Sequence, residues 1–191
     1  MSQRDIVIAP VKGKKGRAEF VDLGRQFALS EPRYVPQIRS EQLELVDPDK
    51  NPFFGHAAVE LFIAYRDGQA VGRISAHIDH LALELPRNQG MGPGTGMFGY
   101  FDAEDEEVAH ALLRQAGQWL NTKGMDRMLG PISLSIWEEP GLLVRGQDHA
   151  PMIMMGHHPA QYGNWMRSFG LVEAKRLYTY DLNIAREFPK L

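Results

Sequence analysis

The chain of 191 residues contains no cysteine, which excludes disulfide bonds, a thiolate nucleophile and a cysteine metal site. It also lacks an apolar run near the roughly 20 residues that cross a bilayer, and its first residues lack the apolar core of a signal peptide. Neither charge dominates, because the formal net charge is −3. The composition therefore indicates no bulk attraction to nucleic acid, and we expect a cytoplasmic protein without a transmembrane segment.

The length suits a single domain, residues 1–191, with a sizeable core. Apolar patterning predicts an α/β (α+β) arrangement in which strands alternate with amphipathic helices. The basic segment 12–16 and the glycine-rich segment 89–96 are predicted to be loops. Predicted strands occupy 6–11, 58–65, 70–78, 97–101, 127–136 and 173–182, and predicted helices occupy 17–29, 40–46 and 159–168, with one more after an acidic turn at 102–107.

The segment 96–124 combines a short apolar strand, the acidic turn and an amphipathic helix. Val108, Leu112 and Trp119 recur on one helical face. Asp102 or Asp105 is suited to cap the first turn, and Gly124 is suited to end the helix. A strand, a sharp turn and a helix form a common ligand-binding element in α/β proteins. The carboxylates of this turn would instead satisfy the helix amides themselves and repel a diphosphate.

The order of elements resembles the GNAT (Gcn5-related N-acetyltransferase) superfamily over nearly the whole chain. The resemblance is carried by the hairpin with Ala-Val-Gly-Arg-Ile-Ser at 70–75, the unit at 97–124 and Trp-Met-Arg-Ser-Phe-Gly-Leu at 165–171. The segments Asp-Lys-Asn-Pro-Phe-Phe at 49–54, Gly-Pro-Ile-Ser-Leu-Ser at 130–135 and Pro-Met-Ile-Met-Met at 151–155 resemble, more narrowly, a bacterial group of acyl-CoA N-acyltransferase-like proteins. Members of that group are often longer, so one half of a two-domain architecture is an alternative to a single complete domain.

The resemblance implies a mixed, mostly antiparallel central sheet flanked by helices. It also implies an acyl-CoA-dependent N-acyltransferase that uses acyl-CoA or acetyl-CoA and a small-molecule amine or lipid-like acceptor. His77, Asp79 and His80 are the residues that could bind a metal, but His80 would point away from the other two on a continuing strand, so no metal site is expected. The alternative is a non-catalytic GNAT-like domain that binds a ligand or a partner. GNAT sheets usually close with two strands after the last helix, whereas only 173–182 is predicted here. A homodimer that completes the sheet is therefore a further expectation.

In such a fold, the strand after the hairpin offers its backbone to the acyl donor. The expected donor-binding residues are Met97, Phe98, Gly99, Tyr100 and Phe101. The expected catalytic residues are Glu138, His157 and Tyr162, and the expected substrate pocket comprises Ser135, Trp137, Glu139, Met154 and His158. A glutamate beside an aromatic ring can have its pKa raised into the range of a general base.

Several of these residues have a structural alternative. Glu138 and Glu139 would suit a solvated acidic turn, His157 and His158 would suit a helix start, and the methionines would suit a core. The tyrosine that often acts as general acid in GNAT enzymes is replaced by Met166, and Tyr162, one turn earlier, is the candidate substitute. The acidic turn and the missing tyrosine are the features that favour the non-catalytic alternative.

Overall fold

A computed structural model describes residues 5–35, 37–86, 91–152 and 154–180. Five strands form one sheet in the order β1-β2-β3-β4-β5. The first four strands are antiparallel neighbours, and β5 runs parallel to β4. This arrangement confirms the predicted mixed, mostly antiparallel sheet. The strands are β1 (Ile6–Pro10), β2 (Ala57–Arg66), β3 (Gln69–Asp79), β4 (Thr95–Ala103) and β5 (Arg127–Leu129).

Helices cover both faces of the sheet. They are α1 (Gly13–Leu29), α2 (Arg39–Leu45), α3 (His80–Glu84), α4 (Glu106–Thr122) and α5 (Gln161–Phe169), and a 3₁₀ turn spans Pro52–Gly55. One buried cluster joins α1 to β2 through Phe20, Leu61 and Ile63, and a larger one joins α4 and α5 to the opposite face. No helix in the described ranges is long and apolar enough to cross a membrane.

Successive residues of β3 point to opposite faces of the sheet, one covered by α4 and the other by α1. Gly72 points towards α4, where a Cβ atom would come within 2.7 Å of Val108. Arg73 points the other way, towards α1, where a Cβ on Gly24 would lie 1.8 Å from the guanidinium. The hairpin is therefore as the sequence predicts, and its second strand presents alternate residues to the two faces of the sheet.

Two predicted boundaries differ at α1 and α2. The basic segment 12–16 is not a flexible loop, because α1 already begins at Gly13. Lys14 and Lys15 are good helix formers, and Gly16 fits closely beside Val11, whose Cγ1 would lie 3.2 Å from an added Cβ. Helix α2 begins at Arg39, one residue before the predicted start at Ser40, without a side-chain cap.

Two predicted strands also differ from the structure. The strand predicted at 127–136 ends at Leu129, because Pro131 has no N–H to donate to a ladder. The part of the predicted strand 173–182 that is described, 173–180, is not extended in a sheet. Leu177 and Tyr178 are both exposed, so the alternation there does not separate a buried face from a solvated one. Residues 181 and 182 lie outside the described part.

Candidate functional site

A β-bulge interrupts β4 beside the centre of the sheet. Ser75 pairs with Gly99 and Arg73 pairs with Asp102, so Tyr100 and Phe101 together lie opposite a single residue of β3. Tyr100 adopts a φ of +45°, and its N–H donates to Ser133 Oγ at 3.3 Å. A non-glycine residue in this region is uncommon and marks a locally constrained backbone.

The chain after β5 crosses β4 at this bulge. Ile132 N–H donates to the Phe98 carbonyl at 2.7 Å. A Cβ on Gly99 would lie 1.9 Å from the Ile132 carbonyl oxygen, so only glycine allows the two backbones to approach this closely. Beyond the crossing, β4 and the chain that follows β5 enclose a cleft together with α1 and α5.

The cleft has a volume of about 60 Å³. That space is enough for a few water molecules. Its lining comes from α1, α2 and the segment between them, from β3 and the β4 bulge, and from α5 and the chain that joins β5 to it. The polar and aromatic lining residues are Phe27, Glu31, Tyr34, Gln37, Gln42, Arg73, Tyr100, Phe101, Asp102, Ser133, Glu139, His157, His158 and Tyr162.

Arg73 and Asp102 form an ion pair in the cleft wall. Arg73 Nε donates to Asp102 Oδ2 at 2.7 Å, and the two side chains are only 11% and 17% exposed. Arg73 also donates to the Phe20 carbonyl at 3.0 Å, and its guanidinium lies over the rings of Phe20 and Tyr100. Sequence reasoning did not identify this pair, although an arginine in the middle of an apolar strand was a usable signal.

Glu139 supplies a partly buried carboxylate to the cleft. Its Oε1 accepts a hydrogen bond from Gln37 Nε2, 102 residues earlier in the chain. Burial raises the pKa of Glu139, and this effect outweighs the opposing influence of Arg73. A carboxyl group with a raised pKa is better matched to accept a proton at neutral pH than an ordinary one.

Glu138, its neighbour, is placed differently. Burial raises the pKa of Glu138 as well. Its side chain does not line the cleft, however, and its backbone N–H closes a turn on the Ser135 carbonyl. Of the two glutamates singled out in the sequence, the structure brings only Glu139 together with Arg73 and Tyr100.

The two adjacent histidines, His157 and His158, both carry a proton on Nε2, but different hydrogen bonds place it there. His158 Nδ1 accepts from Leu143 N–H at 3.2 Å, which places its remaining proton on Nε2. Burial lowers the pKa of His158 to about 4, so the ring is neutral at neutral pH. His157 is 9% exposed, and its Nε2 lies 3.1 Å from the Gln147 carbonyl and donates to it. No hydrogen bond reaches its buried Nδ1 within the described residues.

Tyr162 is buried beneath the bulge. Its hydroxyl accepts from Ala103 N–H at 3.1 Å and lies 3.3 Å from the Ala103 carbonyl, to which it can donate. Its ring packs edge-on against Phe101. Burial raises the pKa of Tyr162. The hydroxyl thus ties α5 to the end of β4, and both its donor and its acceptor capacity are used there.

The remaining residues expected at the site are spread more widely. Met97 and Phe98 are buried in the core, and Ser135 Oγ accepts from Trp137 N–H within a local turn. Trp137 is 76% exposed and Met154 is 55% exposed, so both lie on the surface outside the cleft. In the described ranges, no three histidine or acidic side chains are grouped to hold a metal ion.

The N-terminus of α4 is occupied by protein side chains. Asp105 Oδ1 accepts from Val108 N–H at 2.9 Å, which confirms Asp105, of the two candidates, as the cap. Arg66 lies 2.7 Å from the same carboxylate and also approaches Glu104 and Glu107. The Arg66 guanidinium and the Val108 hydrogen bond hold the pKa of Asp105 below its usual range.

Solved structures share this architecture. The aminoglycoside N-acetyltransferase AAC(6')-Iy, in complex with CoA, superposes with a TM-score of 0.55, covering 95% of this chain and 97% of the other, at 16% sequence identity. The chain has the GNAT fold. At that level of identity the likeness concerns the GNAT fold alone, and no protein-family model matches the chain.

Two curated relatives are more similar to this chain in sequence. Bacterial ceramide synthase of Caulobacter vibrioides is 37% identical over 188 residues, which cover 98% of this chain and 48% of that protein. Protein YghO of Escherichia coli is 37% identical over 141 residues, which cover 73% of this chain and 35% of that protein. The chain thus spans about half the length, or less, of the curated relatives it matches.

Proposed function

We propose that this chain carries an acyl-CoA-dependent N-acyltransferase activity that joins an acyl group to an amine. The observation that supports it most is the position of Glu139: a partly buried carboxylate with a raised pKa lies in a cleft beside the bulge of β4. The GNAT fold and the CoA complex of the related structure agree with an acyl-CoA donor.

The donor is proposed to lie along β4, at residues 97–101. At the bulge, the backbone of Tyr100 and Phe101 departs from regular pairing with β3. Tyr100 N–H already donates to Ser133 Oγ, so the Phe101 N–H is the bulge amide proposed to stabilise the negative charge that develops on the thioester carbonyl oxygen. Met97 and Phe98 would contribute by holding the strand in the core, since their side chains are buried.

The reaction is assigned from the charges of the cleft. Arg73 neutralises Asp102. Of the other two carboxylates in the lining, Glu31 and Glu139, we assign Glu139 to attract an ammonium group and take its proton, because burial raises its pKa. The neutral amine then attacks the thioester carbonyl carbon, the carbon–sulfur bond breaks, and the CoA thiolate leaves. The second proton of the nitrogen is transferred to the thiolate, so the products are an amide and CoA. Tyr162 is assigned a structural role, because its hydroxyl is already bonded at Ala103.

The acceptor is proposed to be a long-chain amine. A ceramide is the amide of a fatty acid with a long-chain amino alcohol, and the relative that matches almost this whole chain is a ceramide synthase. In this proposal the amino end enters the cleft, and Trp137 and Met154 offer exposed apolar surface outside it for the alkyl chain. Methionine side chains adapt well to irregular apolar ligands such as alkyl chains.

A non-catalytic binding domain is the second candidate, and the N-terminus of α4 favours it. Asp105 occupies amide groups there, and Glu104 and Glu107 surround it with further negative charge. A CoA diphosphate placed at this helix end would compete with the cap and meet electrostatic repulsion. In the enzyme proposal, the diphosphate therefore lies away from this end.

Thermal unfolding with acyl-CoA and turnover with a long-chain 2-amino alcohol separate the two candidates. A ligand at a hundredfold excess over its Kd stabilises the fold by about 2.7 kcal/mol, which raises Tm by roughly 5–10 °C for a chain of this size. Stabilisation with amide formation supports the enzyme, and stabilisation without amide supports the binding domain. An absence of any shift with short or long acyl-CoA would overturn the proposal.

Paired substitutions then test the base. Glu139→Gln should lower kcat/KM by about 10²- to 10⁴-fold, the usual contribution of a general base. Glu138→Gln is the matched control, with the same chemical change one residue away and outside the cleft lining. The reverse order of effects would assign the proton transfer to Glu138 instead.

A further inference from the structure

Gln37 connects the cleft carboxylate to the two helices at the start of the chain. It lies in the segment that joins α1 to α2, and its side-chain Nε2 donates to Glu139 Oε1. Gln42 Nε2 lies 3.3 Å from Gln37 Oε1 and donates to it. Arg25 of α1 donates to the backbone carbonyl of Gln37 and also lies 3.4 Å from Gln42 Oε1. Gln37 is therefore held at its backbone carbonyl and at both the oxygen and the nitrogen of its side-chain amide.

These contacts define which way the Gln37 amide points. Its oxygen is turned towards the NH₂ group of Gln42, so its own NH₂ group is turned towards Glu139. The orientation follows from the hydrogen-bond network, as amide orientations must. Gln42 in turn is fixed by Arg25, which can only donate. A glutamine held in this way offers a donor to the carboxylate without carrying a charge of its own.

We infer that Gln37 is a positioning residue that orients Glu139 for proton transfer, an inference that rests on the proposed function. Gln37 engages Oε1, and no hydrogen bond within the described residues engages Oε2. The second oxygen thus stays available to receive a proton from a bound amine. Gln37 also favours the ionised carboxylate, because a hydrogen-bond donor stabilises the charged acceptor.

Several other groups act on the same carboxyl. Burial has the largest influence and raises the pKa of Glu139, whereas Arg73 and the Gln37 hydrogen bond oppose it. Asp102 and Glu138 raise the pKa further through like charge. Loss of the Gln37 donor should therefore raise the pKa again and leave the base protonated to a higher pH. The groups that face Glu139 are Arg73 from β3, Asp102 and Tyr100 from β4, Glu138 from its own loop, and Tyr34 and Gln37 from the segment before α2.

The test compares Gln37→Leu with wild type in two measurements. The first is a ¹³C NMR titration of the glutamate side-chain carboxyls, with the Glu139 signal assigned by its loss in Glu139→Gln. We expect the pKa of Glu139 to rise by about one unit in Gln37→Leu, since a hydrogen bond to a charged group has a tenfold effect or more. Gln26→Leu, an exposed glutamine exchanged on α1, is the matched control and should leave this pKa unchanged.

The second measurement is the pH profile of kcat/KM. Its acidic limb should move to higher pH by the same amount in Gln37→Leu, which a purely structural role would not cause. If Gln37→Leu does not fold, Gln42→Leu, which releases the Gln37 amide oxygen, should shift the pKa in the same direction by less. An unchanged Glu139 pKa in a folded variant overturns the positioning role even if wild type is active. A raised pKa in a protein without any turnover supports the contact and rejects the enzyme.

Discussion

Removal of the Arg73 guanidinium should destabilise the fold strongly. Arg73→Met keeps most of the apolar stem but deletes the ion pair with Asp102, the hydrogen bond to the Phe20 carbonyl and the stacking on two rings. Both partners are more than four-fifths buried, so the Asp102 carboxylate would be left in the cleft wall without its cation. This perturbation isolates the contact that joins α1 to the centre of the sheet.

The magnitude follows from the burial of the pair. Removal of one partner from a buried ion pair costs about 3–5 kcal/mol, because the other charge stays desolvated. That loss corresponds to a fall in Tm on the order of 10 °C for a chain of this length. The pair between Arg39 and Asp22 has a similar distance, 2.6 Å, but both side chains are more than two-fifths exposed. Arg39→Met is therefore the matched control and should cost much less than Arg73→Met, because water and salt screen an exposed pair.

Urea denaturation followed by circular dichroism gives the free energy of unfolding for each variant. A double-mutant cycle with Asp102→Asn should show strong coupling, because the second substitution removes the charge that the first one leaves unpaired. The double variant should be less destabilised than the sum of the single variants. The reasoning is refuted if Arg73→Met costs no more than Arg39→Met, or if the two effects at 73 and 102 are additive.

Three further predictions follow from close contacts and buried groups. Gly99→Ala should cost several kcal/mol in urea denaturation, since its Cβ would overlap a backbone carbonyl, whereas Gly117→Ala in α4 has open space and should gain about 0.5–1 kcal/mol. Tyr162→Phe should lower the free energy of unfolding by about 1–3 kcal/mol, because it leaves the buried Ala103 N–H unpaired. It should change kcat less than tenfold, whereas a loss of a hundredfold or more would show that Tyr162 is a general acid. Burial lowers the pKa of His77 to about 4, from an ordinary value of 6.5. Between pH 6.5 and 4 this histidine is therefore protonated in the unfolded chain but neutral in the folded one, so stability falls as pH falls through that window. The stability of His77→Leu should depend less on pH over that range, by on the order of 3 kcal/mol, and an equally steep decline would contradict this.

Local sequence patterns predicted much of the fold. The hairpin of β2 and β3 follows from two alternating runs around Asp67-Gly68, and both of these residues have positive φ in the structure. The cap and the end of α4 follow from Asp105 and Gly124, whose roles depend on neighbours within one or two turns. Such features are predictable because the interacting groups lie close together along the chain.

The contacts within the cleft were harder to predict from the sequence. Glu139 was expected in the pocket, but its partner Gln37 lies in a proline-containing segment without a motif, and only the tertiary fold brings the two together. The same is true of Arg73 and Asp102, which meet across adjacent strands. The alternating sequence at 173–180 led to a strand prediction that was wrong. A period of two indicates a strand only where one face of it becomes buried, and here residues of both faces are exposed.

The most direct measurement is product formation by the chain with a long-chain acyl-CoA and a long-chain 2-amino alcohol, in which CoA release and amide are quantified together. We predict one CoA released per amide formed, with both lost in Glu139→Gln and both kept in Glu138→Gln. CoA release without amide, or no amide in a protein that acyl-CoA stabilises, would contradict an N-acyltransferase whose base is Glu139.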